Sequence, residues 1–205
     1  MSDAPAAPAL PPLSPSERRA LVRLALQAAA LFGAIFLLGA VAATWLRAPF
    51  QAAGEAFVAE VGAPGVAVVF VLADVVPVPI PPDLFSVFAL LGGVPFWTIV
   101  AWGTLGALGG SALAWGIGRL LAHTAWFRRA LGHQHERVAG WVRRWGGLAL
   151  VIVIVSPIPF EVGAWTASAL GMPLWRLLLW ASLRSVRIAG YLALFELGWV
   201  RAGPG

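Results

Sequence analysis

The chain contains no cysteine and no lysine, and charged residues make up only 11% of its 205 positions. Without cysteine, neither a disulfide framework nor a thiol-ligated metal site can form. A soluble domain carries roughly 25% charged residues, whereas here 60% of the residues are hydrophobic and the mean hydropathy is +0.85. Long apolar runs produce this average, so the composition predicts an integral membrane protein rather than a soluble one.

All 14 basic residues are arginines, and the net charge is +5. They do not form one soluble patch, so no nucleic-acid partner is expected. Ten of them flank one side of the predicted membrane crossings and two flank the other. By the positive-inside rule, the N-terminus and residues 122–147 are then cytoplasmic. We expect a multi-pass protein of the plasma (inner) membrane of a bacterium.

Residues 1–16 are rich in proline and alanine and are predicted to be a disordered cytoplasmic tail. Residues 17–205 are predicted to form a single membrane domain. The first apolar segment is too long for a signal-peptide core and lacks a clear cleavage site. Three segments are long enough to cross a bilayer as helices, namely 24–46, 97–121 and 174–199.

Two further apolar regions, 61–91 and 148–170, are interrupted by prolines at their centres. Proline removes a backbone donor and biases its predecessor toward extended conformations, so neither region can be one continuous helix. We expect two re-entrant hairpins, whose non-helical backbone must be surrounded by protein or line a water-filled cavity. The prolines of the two predicted re-entrant loops are Pro77, Pro79, Pro81, Pro157 and Pro159.

The membrane domain repeats internally at an offset of 78 residues, without gaps. The pattern P-I-P-x-[D/E] occurs at 79–83 and 157–161, and G-x-P-x-W follows at 93–97 and 171–175. One predicted span separates the hairpins, so they enter from opposite faces, as in the inverted-topology repeats of secondary transporters. The expected fold class is therefore all-α, with three spanning helices and two inverted-repeat re-entrant helical hairpins.

A basic segment, 122–147, joins the two repeats, which cover about 61–121 and 148–199. Its apolar residues recur at the i, i+3, i+4 and i+7 spacing of one helix face. This spacing predicts an amphipathic helix lying in the membrane interface, with its arginines toward anionic headgroups. The residues of this face are Val138, Trp141, Val142 and Trp145.

Several of these features resemble the DedA/VTT-domain (SNARE-associated) family of membrane proteins. They are the acidic proline-centred loop, the glycine-rich span ending in GIGR at 116–119, and the second loop, SPIPFEVGAWTASALGMP. The resemblance covers roughly 61–199. It implies lipid translocation, because bacterial members are associated with moving undecaprenyl phosphate or phospholipids across the inner membrane and with the proton motive force. Eukaryotic relatives of the family are scramblases.

Two carboxylates, Asp83 and Glu161, occupy equivalent positions of the repeats. Buried carboxyl groups inside a membrane suit proton uptake and release. Alternatively, each caps the helix that follows its hairpin. Asp74 precedes the first loop and is a further candidate, although its equivalent in the second repeat is Ile152.

Arg184 and Arg187 lie three residues apart, about halfway through the last predicted span. An arginine at the bilayer centre costs at least about 2.5–3.5 kcal/mol, so both require partners or water. They are predicted to form a fork for a lipid phosphate, or alternatively two structural ion pairs with Glu161 or Asp83 among the acceptors. Glu196 is interpreted as lying three turns further along the face of Arg184.

The other long span carries a stripe of small residues at four-residue spacing. Such stripes let helix backbones approach closely, which predicts packing against the last span or a second protomer. A smooth track for an acyl chain is the alternative. The residues of the stripe are Gly106, Gly110, Ala114 and Gly118.

These observations predict a lipid translocase of the flippase or scramblase type that moves a phosphate-bearing lipid between leaflets, with proton coupling as an option. The alternative is a proton-coupled ion or small-solute secondary transporter. An intramembrane enzyme would need a nucleophile with a base, or a metal cluster, and neither is found. His133 and His135 alone make a poor metal site. We expect no metal or cofactor. The expected partners are phospholipid or polyprenyl phosphate, protons, and further copies of the chain in a homo-oligomer.

Overall fold

The computed structural model describes part of the chain. The described residues are 45–75, 82–121, 124, 136–155 and 160–202, together with scattered helical positions between 19 and 41. The predicted tail 1–16, most of the predicted span 24–46 and the five prolines of the predicted loops lie outside them. Within the described ranges the secondary structure is helical throughout, with no strand, which confirms the all-α prediction.

From residue 47 onward, nine helices follow one another along the described part of the chain. They are α1 (Arg47–Val61), α2 (Pro64–Val75), α3 (Asp83–Leu91), α4 (Phe96–Leu121), α5 (136–145), α6 (Leu148–Val155), α7 (Phe160–Ala169), α8 (Leu174–Ala181) and α9 (Arg184–Ala202).

Two segments of 26 residues, Phe96–Leu121 and Leu174–Trp199, are long and apolar enough to cross a membrane. They coincide with two of the predicted spans, and their bounds are related by the repeat offset of 78. The second segment contains α8 and most of α9, with a turn at 182–183 between them. A third candidate consists of α1 and α2 together, but these helices are bent by 91°. The helix α1 ends before Gly62, which has a φ of 61°. Only glycine adopts such backbone angles freely.

Residues 47–61, between the first predicted span and the first predicted hairpin, form the helix α1. The first predicted hairpin therefore has a further helix beside it. Its second arm, α3, packs mainly against α1, while its first arm, α2, packs along α4. These two arms have only 12 and 9 residues, so each buries its apolar surface against a longer neighbour.

The 78-residue repeat recurs in the backbone where each hairpin joins its span. Gly93 and Gly171 both have positive φ, at 87° and 89°. Five backbone hydrogen bonds between residues 88 and 99 have counterparts between 166 and 177, each displaced by 78 residues. For example, the Val94 N–H donates to the Ala89 carbonyl as the Met172 N–H does to the Ala167 carbonyl, both at 3.0 Å. The two halves therefore use the same turn.

Each half of the molecule packs against residues from the long helix of the other half. The first hydrophobic cluster combines residues of the first half, such as Phe70 and Ile99, with Ile188 and Leu192 of α9. The second cluster combines residues of the second half with Ala114 of α4. Because α9 crosses into the first half, its first turn lies between the two hairpins.

The helix α5 packs against the second half of the molecule. Val138 and Val142 are buried in the second cluster, so the predicted apolar face covers protein rather than lying free in the membrane interface. Arg137 stacks over the partly buried Trp141, with 5.6 Å between its Cζ and the ring centroid. The short arms α6 and α7 leave apolar surface that α5 covers, which explains the difference from the sequence-based expectation.

The stripe of small residues on α4 faces the hairpins. A Cβ atom at Gly106 would lie 2.4 Å from the Ala67 carbonyl oxygen of α2. One at Gly118 would lie 2.1 Å from Ser168 Oγ of α7. Close packing was expected, and at these glycines the partners within the chain are the hairpin arms rather than the last span.

Candidate functional site

The largest fully buried side chain belongs to Arg184, which is 1% exposed and lies at the first residue of α9. Its two terminal nitrogens donate to the two carboxylate oxygens of Asp74, with Nη2 at 2.9 Å from Oδ1. Asp74 comes from α2 and is 2% exposed. The hydroxyl of Ser111 lies 3.4 Å from both the Asp74 carboxylate and Arg184 Nη1. A bidentate, charge-assisted pair of this kind neutralises both charges in a low-dielectric interior.

A glycine makes room for the Asp74 carboxylate. A Cβ atom at Gly110 would lie 2.7 Å from the Cβ of Asp74 and 2.9 Å from its Oδ2. The stripe on α4 therefore positions the acid as well as permitting close helix packing.

Aromatic rings from both halves enclose the Arg184 guanidinium. Its Cζ lies 5.9 Å from the ring centroid of Phe70 on α2 and 4.6 Å from that of Phe160 on α7. Both distances are within cation–π range. Arg184 is thus held by the first half through Asp74 and contacts the second half through Phe160.

Arg187 also contacts both halves, one turn further along α9. Its Nη2 donates to Asp83 Oδ2 at 3.0 Å, and its Nη1 donates to the Ile154 carbonyl at 3.3 Å. Asp83 is the first residue of α3, where a negative charge is favourable. Ile154 is among the last residues of α6, whose carbonyls have no partner within the helix. One guanidinium therefore joins helix ends from the two hairpins, each next to a proline-containing break.

The two ion pairs differ in their access to the surroundings. The Arg187 and Asp83 side chains retain 16% and 12% exposure, against 2% and 3% for Arg184 and Asp74. The Arg187 pair is joined by a single hydrogen bond. Asp83 Oδ1 and Arg187 Nε are buried and make no hydrogen bond with the described residues. Arg184 Nε is likewise buried without a hydrogen bond to the described residues. The two pairs therefore differ in their exposure and in their number of hydrogen bonds, and of the two carboxylates only Asp83 has an oxygen left unbonded.

The remaining candidate acids lie outside these pairs. Glu161 is buried in α7 but forms an ion pair with neither arginine in the described structure. Glu196 is exposed and contacts neither arginine. It lies 12 residues after Arg184, and at 3.6 residues per turn this displacement rotates its side chain by about 120° around the helix. Its predicted position on the face of Arg184 is therefore wrong.

Sequence reasoning did not recognise Asp74 as the partner of Arg184, nor Ser111 as part of the site. The repeat offered no help, because position 152 is isoleucine in the second half. A signal was nevertheless present. An acid within an apolar membrane segment needs a partner of opposite charge, and the two central arginines were available. Among the described residues, no group of three or more potential metal ligands occurs.

Fold and site together define a polytopic helical membrane protein whose repeated halves meet at buried ion pairs. A family model, the VTT domain, matches residues 80–197, which is more than half of the chain. The chain therefore belongs to the VTT-domain family, the domain of the DedA/SNARE-associated proteins, as its motifs had indicated. The match includes Asp83, Glu161 and both central arginines, while Asp74 lies before it. No curated protein and no solved structure matches the chain.

Proposed function

We propose that the protein is a lipid translocase, of the flippase or scramblase type, that moves a phosphate-bearing lipid between the two leaflets. Membership of the VTT-domain family supports a membrane transport-like function. The observation that carries the proposal further is the position of Arg187. This arginine bonds to Asp83 in the first half and to the Ile154 carbonyl in the second.

Arg187 rather than Arg184 is the proposed phosphate ligand. Arg184 is enclosed and already bound at both terminal nitrogens by Asp74. Arg187 holds Asp83 by one hydrogen bond and is partly exposed. Guanidinium groups bind phosphate and carboxylate with the same planar geometry. A headgroup phosphate can therefore take the place of the Asp83 carboxylate on Arg187, so that the guanidinium stays paired while Asp83 binds a proton or another group of the headgroup.

The carboxylates have separate roles in this proposal. Asp83 acts as the gate, because it must release Arg187 before phosphate binds. Glu161 is buried without an ion-pair partner among the described residues and is the proposed proton acceptor. The two hairpins are proposed to enter the membrane from opposite faces, so that each exposes the site to one side in turn.

A liposome assay tests this proposal. The purified protein is reconstituted with labelled phospholipids, and movement between leaflets is measured for wild type and two variants. Arg187→Lys retains the charge but loses the planar fork, and we expect it to slow translocation by at least about tenfold. Arg176→Lys changes an exposed arginine beside Trp175 and serves as the control. Wild-type rates in Arg187→Lys would overturn the assignment of the phosphate site.

The charge balance of the site favours a second candidate function. Asp74 and Asp83 already neutralise both arginines without an anionic ligand. A proton-coupled ion or small-solute transporter could use the same carboxylates. Proton-driven solute uptake by the liposomes, in the absence of lipid movement, would support this alternative.

A further inference from the structure

Ser86 is a buried polar residue that no part of the site accounts for. It is 1% exposed, yet its hydroxyl has no hydrogen-bond partner in the described part of the chain. It follows Asp83 by three residues on α3, so the two side chains are neighbours on one helix face. Asp83 contacts α9, and Val87, next to Ser86, belongs to the same hydrophobic cluster as Ile188 of α9. Ser86 therefore lies within one helical turn of the Asp83–Arg187 pair.

The pair itself contains two further polar atoms without a partner. Asp83 Oδ1 and Arg187 Nε are both buried, and neither bonds to any described residue. Buried polar atoms in folded proteins nearly always have partners. Asp83, Arg187 and Ser86 each contribute one such atom. Because Asp83 pairs with Arg187 and Ser86 follows one turn later, we interpret the three atoms as the contacts of a group that binds there.

The internal repeat shows that packing does not require the Ser86 hydroxyl. The equivalent position in the second half, 78 residues later, is Ala164, which is fully buried in α7. Alanine is therefore accommodated at this position of the repeated fold. A buried hydroxyl without a partner lowers stability, so its presence at Ser86 calls for a role other than packing.

The hydrogen-bonding chemistry of the three groups defines what can bind. An ionised Asp83 oxygen only accepts, the Arg187 Nε–H only donates, and a serine hydroxyl does both. A fully ionised phosphate only accepts, so it can satisfy Arg187 but not Asp83. The complementary ligand carries an anionic oxygen and, beside it, a hydrogen-bond donor.

We propose that Ser86 is a specificity-determining residue for the lipid headgroup. With the Asp83 carboxylate, it binds an ammonium or hydroxyl group of a headgroup whose phosphate is bound by Arg187. This inference rests on the proposed lipid translocase function. It adds that the headgroup must present a hydrogen-bond donor, and that a quaternary ammonium, which has none, is disfavoured.

The test compares lipids that differ only in this property. Liposomes contain the wild-type protein and phosphatidylethanolamine, phosphatidylglycerol or phosphatidylcholine, each labelled on an acyl chain so that the headgroup is intact. We expect the ethanolamine and glycerol lipids to move about threefold to tenfold faster than the choline lipid, the ratio that one hydrogen bond provides. Ser86→Ala is expected to bring this ratio close to one, because the ethanolamine and glycerol lipids lose the contact that the choline lipid cannot make.

Two controls separate a ligand contact from a structural one. Ser168→Ala removes a buried hydroxyl that already donates to the Trp165 carbonyl at 3.0 Å, and it should leave the ratio unchanged. The melting temperature of Ser86→Ala should equal or exceed that of the wild type, because the variant loses an unpartnered hydroxyl.

The outcomes distinguish this inference from the proposed function. Equal wild-type rates for all three lipids, or an unchanged ratio in Ser86→Ala, would overturn the role of Ser86 and leave lipid translocation standing. A lower melting temperature in Ser86→Ala would make the hydroxyl structural and would also overturn it. If no lipid moves, the proposed function itself fails and the inference fails with it.

Discussion

Asp74 and Arg184 lie 110 residues apart in the chain and form a buried bidentate ion pair. The pair connects α2 of the first hairpin to the first turn of α9. Neither partner can be exposed to water without moving a helix. The contact therefore fixes the relative position of these two helices, and Arg187, on the next turn of α9, takes its place between the halves.

Removing the acid from this pair should destabilise the protein. Asp74→Asn leaves the Arg184 charge buried without compensation, at a cost of roughly 3–5 kcal/mol. The measurement is thermal unfolding of the purified protein in detergent. Glu196→Gln is the matched control, because Glu196 is exposed and surface substitutions change stability by about 0.5 kcal/mol or less. Equal melting temperatures for Asp74→Asn and wild type would show that Arg184 does not depend on this partner.

The two other carboxylates should affect transport while the protein remains folded. Glu161→Gln removes a titrating group but retains most of its hydrogen bonding. We expect this variant to lose the acceleration of translocation by an imposed proton gradient. Asp83→Asn should lower translocation both with and without the gradient, because the gate no longer carries a charge that can displace the phosphate from Arg187. Glu55→Gln, on the exposed face of α1, is the control. If either amide variant transports normally, that residue acts only as a helix cap.

The glycines of α4 should differ in their tolerance of larger side chains. Gly110→Leu would collide with Asp74 and Gly106→Ala with the backbone of Ala67, so each should cost about 1–3 kcal/mol or more. Gly116→Ala on the same helix meets nothing within 4 Å and should be neutral or slightly stabilising. Yield and monodispersity in detergent, followed by thermal unfolding, measure the difference. A stable and active Gly110→Leu protein would contradict the close packing of Asp74.

The inverted arrangement of the repeats can be tested by chemical labelling, because the chain contains no cysteine. Trp97 and Trp175 are equivalent positions, both exposed, at the beginning of the two long apolar segments. We expect Trp97→Cys to react with an impermeant thiol reagent from outside the cell and Trp175→Cys only from the cytoplasmic side. Reaction of both from the same side would eliminate the inverted repeat and the transport mechanism based on it.

The sequence by itself determined the class of protein, the helical elements and the repeat. Apolar length identifies the segments 97–121 and 174–199, since a helix must satisfy its own backbone in lipid. The proline clusters predict breaks in the regions 61–91 and 148–170, because proline cannot continue a helix, and the described helices α2 and α6 end at Val75 and Val155, before these clusters. The 78-residue spacing of glycine, proline and tryptophan appears again in equivalent backbone hydrogen bonds. Each of these features depends on residues that are close together in the sequence, so a short stretch of sequence is enough to predict it.

Only the tertiary structure decided which charges meet. Asp74, rather than Glu161, binds Arg184, because α2 packs along α4 at Gly110 and brings that carboxylate to the beginning of α9. Glu196 lies on another side of α9. Ion-pair choice depends on the rotation of each helix and on the crossing of distant segments. Sequence spacing specifies neither the rotation nor the crossing. The partner of each buried charge, and the partial exposure of the Asp83–Arg187 pair, therefore follow only from the packing of the helices.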